Sequence, residues 1–308
     1  MEQLFQRDLY GQTLVELGKT NNNIVVFDAD LSSSTRTSMF AKAFPERFFN
    51  FGVAEQNMMA ASTGMSTCGK IVFVSTFAIF ASGRAWDQIR NGVSYNNSNV
   101  KIVATHAGVT VGPDGSSHQA LEDIALMRVI PNMNIIVPCD APQTRDAILA
   151  AVETPGPFYV RLGRSKVPTL ENKGAFKFGK AQVLAEGSDV AIIACGVMVQ
   201  EALYAIKNLA SQGIKARLIN MHTIRPIDKE VILKAAEETK GLVVCEEHSV
   251  IGGLASSVDE IVAENHPTKV MRVGVRNRYG QSGTEVELMK EYNLTGADIE
   301  KAVLSIVG

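Results

Sequence analysis

Cysteine is scarce in this sequence of 308 residues, and the four present are scattered. Cys68, Cys139, Cys195 and Cys245 sit mostly within apolar, strand-like runs. No C-x-x-C spacing suggests zinc, and nothing resembles a disulfide framework. Long apolar runs are missing too, so no segment reads as a membrane span. The first residues, Met1-Glu2-Gln3-Leu4-Phe5-Gln6-Arg7-Asp8, lack a basic stretch followed by an apolar one, so no signal peptide is read. Charge of one sign is not in excess: 30 basic against 32 acidic side chains leave a formal net charge of -2. That balance gives no electrostatic reason to expect nucleic acid or a membrane as partner. A cytoplasmic, soluble protein is the expectation. With 46% hydrophobic residues the chain can bury ordinary cores, and its length suggests two domains.

What is present alternates. Residues 7–19 carry apolar positions at helical spacing, and Ile24-Val25-Val26-Phe27 reads as a buried strand. Strands follow at 70–76, 100–105, 134–138 and 158–161, separated by helices near 84–95, 119–129 and 142–152. A second series of the same kind runs through strands at 189–195, 214–219, 241–246 and 269–275. Its helices are expected at 197–211, 226–238, 253–263, 285–291 and 296–305. Alternation of this kind predicts an α/β fold, with parallel sheets covered by helices on both faces. The stretch 163–187 is broken by glycine and proline and carries Arg164, Lys166, Lys173, Lys177 and Lys180, which marks a boundary. The predicted domains are residues 1–166 and 187–308, joined by a linker over 167–186.

In such sheets ligands gather beyond the carboxyl ends of strands. Asp30, Ser34, Phe77, Phe80, His106, Asp114, His118 and Arg164 all fall on or just after predicted strand ends. Glu55 opens the helix-like run ending at Met65, which carries no other ionisable group. A glutamate there is favoured by the helix dipole even if it is merely solvated. Phe77 and Phe80 suit a core equally well as a flat wall for a planar heteroaromatic ring. The loop from Thr105 to His118 brings two imidazoles and a carboxylate together among glycines. Such a set could bind a divalent metal, or exchange hydrogen bonds and protons with a polyhydroxylated substrate. Arg164 could clamp a phosphate with its forked donors. Arg7, near a helix start, reads as solvated by position alone. His222, Glu246, Glu247 and His248 lie at strand ends in the second series and read as structural or interface residues.

Taken together, Phe51-Gly52-Val53-Ala54-Glu55-Gln56-Asn57, Ser75-Thr76-Phe77-Ala78-Ile79-Phe80 with Asp87-Gln88-Ile89-Arg90, and Thr105-His106 through His118-Gln119-Ala120-Leu121-Glu122-Asp123 resemble the C-terminal half of transketolase. The resemblance covers essentially the whole chain, as a pyrimidine-binding domain followed by a smaller transketolase C-terminal domain. It implies ketol transfer between a ketose phosphate and an aldose phosphate. It also implies thiamine diphosphate as cofactor, with Glu55 hydrogen-bonding the aminopyrimidine and Phe80 and Phe77 lying under that ring. Glu55, His106 and His118 are the implied catalytic residues. His106, Asp114 and His118 are implied to meet the sugar, and Arg7, Ser34 and Arg164 its phosphate. A third aromatic known beside the pyrimidine in some members would fall near Gly83, where it is missing.

One further absence shapes the expectation. The family holds Mg²⁺ and the diphosphate on a domain bearing a Gly-Asp-Gly run followed by asparagine, and no Gly-Asp-Gly occurs here. The resemblance therefore implies a split enzyme, with no metal ligands on this chain and Mg²⁺ held mainly by an N-terminal transketolase subunit. A homodimer of this chain within a heterotetramer is the expected assembly. A subunit of a 1-deoxyxylulose-5-phosphate synthase-like enzyme, a 2-oxo acid dehydrogenase β subunit and a non-catalytic binding subunit are the alternatives.

Overall fold

The computed structural model describes residues 2–171 and 174–308. Lys173 of the predicted boundary lies outside the described residues. The strands are β1 (Gln3–Phe5), β2 (Ile24–Asp28), β3 (Phe48–Asn50), β4 (Ile71–Phe77), β5 (Val100–Thr105), β6 (Asn134–Ile136) and β7 (Phe158–Arg161). They continue as β8 (Lys166–Pro168), β9 (Gln182–Ala185), β10 (Val190–Ala194), β11 (Ala216–Asn220), β12 (Thr223–Arg225), β13 (Leu242–Ser249) and β14 (Val270–Val275).

A seven-stranded sheet has the order β12-β6-β7-β5-β4-β2-β3 and a five-stranded sheet the order β14-β13-β10-β11-β9. Pairing within each is parallel except at one edge: β12 runs against β6, and β9 against β11. β1 and β8 form a separate antiparallel pair. The expected α/β architecture is the one observed. β2, β5, β7, β10 and β11 are buried at every position, as parallel strands covered on both faces must be.

Helices Gln6–Thr20 and Ala141–Glu153 cover one face of the first sheet through Tyr10, Leu14, Ala147 and Ile148. The other face is covered by Met58 and Met59 of helix Glu55–Thr67, in a core that runs on to Ile193, Ile219 and Leu254 of the second half. The halves thus share apolar packing. They also share backbone, because β12 comes from the second half and completes the first sheet. Within the predicted linker 167–186 lie part of β8 and all of β9.

Two local predictions needed revision. The helix expected at 119–129 begins only at Asp123, because Gln119 is turned into the preceding loop and Ala120 bridges to Ala107. The helix expected from Arg84 to Tyr95 is a short α-helical piece, Trp86–Gln88, flanked by π-helical turns at Phe80–Arg84 and Ile89–Ser94. Such wide turns recur where a helix is bent to serve a site. No helix among the described residues is long and apolar enough to cross a membrane.

Candidate active site

Four adjacent strands, β7, β5, β4 and β2, point their carboxyl ends to one rim. Phe77 ends β4, and its ring lies 5.8 Å from that of Phe80 with the planes 18° apart. His106, just past β5, stacks on Phe77 at 3.8 Å. His118 presents itself edge-on to Phe80 at 5.4 Å and to Phe77 at 6.2 Å. Two phenylalanines and two histidines predicted from separate motifs therefore form one aromatic cluster.

His106 is buried and held at φ +59°, a conformation that costs a non-glycine residue energy and is retained where its surroundings impose it. Arg7 Nη1 lies 3.3 Å from Nε2 and has only protons to give, so Nε2 accepts. Nδ1 then carries the hydrogen and donates to Thr105 Oγ1 at 2.9 Å. Burial, and then the positive charges of Arg7 and Arg164, push this imidazole down to about 3. At neutral pH the uncharged, hydrogen-bonding form is favoured.

Around His106 stand three guanidinium groups. Arg7 is half-buried rather than solvated; its Nη1 also donates to the Ser34 carbonyl at 3.3 Å, and its buried Nε has no hydrogen-bond partner. Burial, then Arg36, lower its proton affinity, with Arg164 adding to the effect. Arg36 pairs with Asp8 at 2.6 Å, and Arg164 donates to the Val111 carbonyl. Ser34 is placed by Asp28. That buried carboxyl accepts from Leu31 N at 2.6 Å and from the Thr35 and Thr37 hydroxyls at 2.8 Å each, fixing the 31–37 turn. Asp30 is exposed and exchanges hydrogen bonds with Asn50 at 3.1 Å.

Glu55 is the first residue of its helix and is 5% exposed, so it is not a solvated helix-start residue. Its Oε1 accepts from Arg84 Nη1 at 3.0 Å, and the guanidinium of Arg84 lies 4.3 Å from the centroid of the Phe80 ring. Carboxylate and aromatic face are thus connected through one planar N–H donor whose side chain is about half exposed. At Gly83 a side chain would meet nothing within 4 Å.

Asp114 is exposed at the end of the turn Val109–Asp114 and has no hydrogen bond to the other candidates among the described residues. Among the described residues, no three of His, Cys, Asp and Glu are grouped as a metal set. Sequence reasoning missed Asp28, Arg36 and Arg84 as parts of the site. Arg36 lies two residues beyond Ser34, and Arg84 falls between the quoted segments ending at Phe80 and beginning at Asp87, so no motif singled out either.

Models of two families match this chain: the transketolase pyrimidine-binding domain over residues 3–169 and the transketolase C-terminal domain over residues 179–299. The chain belongs to the transketolase family. It is 51% identical over 299 residues to a putative transketolase C-terminal section from Methanocaldococcus jannaschii, covering 96% of this chain and 94% of that protein. It is 39% identical over 303 residues to a 6-deoxy-6-sulfo-D-fructose transketolase subunit from a Clostridium species, covering 98% and 94%. Among solved structures, a split-gene transketolase described as an inactive beta4 tetramer superposes with a TM-score of 0.91 at 50% identity, covering 99% of both chains. In length as in sequence, this transketolase chain is similar to separately encoded C-terminal sections.

Proposed function

We propose that this chain is the C-terminal subunit of a split transketolase. With a partner that holds the diphosphate and Mg²⁺, it transfers a two-carbon ketol unit from a ketose phosphate to an aldose phosphate. The observation that carries this reading is the buried Glu55 carboxylate linked through Arg84 to the face of Phe80. A planar, N–H-donating group is already seated on both features, and the aminopyrimidine of thiamine diphosphate offers the same pair of contacts. The cofactor, when bound, supplies the carbanion chemistry.

Glu55 would exchange Arg84 for the ring nitrogen and hold a proton there. Arg84, half exposed, can turn to water at little cost. Phe77 and Phe80 form the apolar floor. His106, neutral, hydrogen-bonds a sugar hydroxyl, while His118 and Asp114 exchange bonds and protons with others. Arg7 and Arg164, with Arg36 beside them and Ser34 bracing Arg7, receive the phosphate. Arg164→Ala is therefore expected to raise KM for phosphorylated sugars about tenfold or more, the worth of one charge-assisted hydrogen bond. An unphosphorylated ketose should be affected far less. Equal losses on both substrates would remove Arg164 from the phosphate end.

Relatives named as sections and subunits support a partner, and the inactive tetramer of the split-gene neighbour fits a lone subunit that self-associates without turning over. The assembly we propose is a homodimer of this chain within a heterotetramer. Calorimetry tests it. Thiamine diphosphate with Mg²⁺ should bind tightly, and ketol transfer appear, only after an N-terminal transketolase section is added. Tight Mg²⁺-dependent binding by the lone chain would contradict the division of the site.

A further inference from the structure

The second half of the chain grips the candidate sugar loop at one well-defined point. Glu247, on β13, turns its side chain toward the turn Val109–Asp114, and its Oε1 accepts the Thr110 N–H at 2.7 Å, across 137 residues of sequence. Its own carbonyl accepts from Arg161 Nη2 at 2.9 Å, so backbone and side chain of the same residue are both fixed. The residue that lets it in is Gly108, at φ +81°. A Cβ there would lie 2.1 Å from the Glu247 carboxyl carbon, so glycine is required by both conformation and space. Around the same turn, Ser165 Oγ donates to the Thr110 carbonyl at 3.2 Å, and Gln119 Nε2 donates to Val109 O and Gln281 O. His106 and His118 stand at the two ends of the segment so held.

We infer that Glu247 is a positioning residue for the 106–118 loop, through which the C-terminal half sets the placement of His106 and His118 for the sugar. The inference rests on the ketol-transfer reading for what the loop does, though not for how the loop is held.

The charged groups that face Glu247 are Arg161 from β7, which attracts, and Glu285 at the start of helix Glu285–Glu291, which repels. Asp123 lies behind Arg161, bonded to its Nε at 2.8 Å. On β13 itself, Glu246 is engaged by Leu254 N and Ala255 N, and His248 by Ser249 O. Burial, against the pull of Arg161 and the Thr110 bonds, pushes the Glu247 carboxyl up to about 7. The folded chain therefore keeps a proton that the unfolded chain, with the ordinary value of 4.5, has released. Its contribution to stability falls as pH rises from the unfolded value to about 7, and is level above that. Glu247→Gln removes this cost. At pH values above the carboxyl's own, the variant should melt at a higher temperature than the parent while holding the loop less firmly. A residue with a merely structural role would not separate these two readouts in this direction.

Hydrogen–deuterium exchange on the full chain alone tests the inference without substrate or cofactor. In Glu247→Ala, at pH values above the carboxyl's own, peptides covering 106–118 should exchange about tenfold faster, the loss of one hydrogen bond to a charged group. In the parent, loop protection relative to intrinsic exchange should change through the pH range where Glu247 titrates, and in Glu247→Gln it should not. In the assembled enzyme, Glu247→Ala should raise KM for a ketose phosphate by about three- to tenfold, with kcat moved less. Unchanged loop exchange in a cooperatively melting Ala variant would overturn the inference. So would the same pH dependence of loop protection in the parent and the Gln variant, which decides the matter if the Ala variant does not fold. Absence of ketol transfer by the parent with its partner would sink the proposed function, and the exchange results would still stand on their own.

Discussion

Glu55→Ala is expected to lower ketol transfer by about 10²- to 10⁴-fold, the range for losing a group that holds a proton at the reacting centre. A carboxylate that is 5% exposed needs a partner, and its partner among the described residues, Arg84, is itself about half in solvent. Such an arrangement leaves Glu55 able to trade Arg84 for a ligand atom at small cost, which a carboxylate locked into a fully buried ion pair could not do. The loss should fall on kcat more than on the amount of cofactor bound, because Phe77, Phe80 and the partner's diphosphate site remain. Glu55→Gln keeps an acceptor of the same shape without the charge and should lie between alanine and parent. Stability should change little, since Ala54, which precedes the helix, makes no side-chain cap to lose and Arg84 can turn to water. Turnover by the alanine variant within about threefold of the parent, in the assembled enzyme, would remove Glu55 from the chemistry.

Much of this arrangement could be read before any coordinates, for reasons that particular segments make plain. Strands β5 and β7 have the bounds expected of them because each is a short, mainly apolar segment, and every one of its side chains is buried. The helix Glu285–Glu291 is marked by Thr284 and Glu287, which form a capping box that depends on local sequence alone. β1, β3, β8, β9 and β12 escaped notice. They are three or four residues long, and their extended form is set by the strand they pair with rather than by their own pattern. The site divides in the same way. Phe77, His106 and His118 follow strand ends and were legible there. Arg84 reaching Glu55 depends on a π-helical turn, and Glu247 reaching Thr110 on the packing of two halves, neither of which a linear pattern records.

The second large effect concerns the ion pair on which the Glu247 contact leans. Asp123→Ala is expected to destabilise the chain by about 3–5 kcal/mol, because it strands a buried guanidinium. Arg161 and Asp123 are both buried and meet at 2.8 Å, and the Tyr159 hydroxyl donates to the same carboxylate oxygen at 2.7 Å. The other oxygen, Oδ1, is buried without a hydrogen bond, so the pair is costly to bury and more costly to break. Burial alone would raise the Asp123 carboxyl. Arg161, with His248 and the Tyr159 hydroxyl, overrides that and holds it below the usual carboxylate range. The folded group is therefore the stronger acid. Its stabilisation is fully present above the unfolded value of 3.8 and is lost as pH falls through the lower folded one. Urea unfolding of the parent and of Asp123→Asn should thus differ by a constant amount from neutral pH down to mildly acidic pH, with the gap closing only in stronger acid. A gap that already closes near neutral pH would show that Asp123 is not the charged partner. Because Arg161 also donates to the Ala120 and Glu247 carbonyls, the alanine variant should speed deuterium exchange in the 106–118 loop as well. The pair would then serve the site as well as the core: it keeps the strand that carries Glu247 against the loop that carries His106.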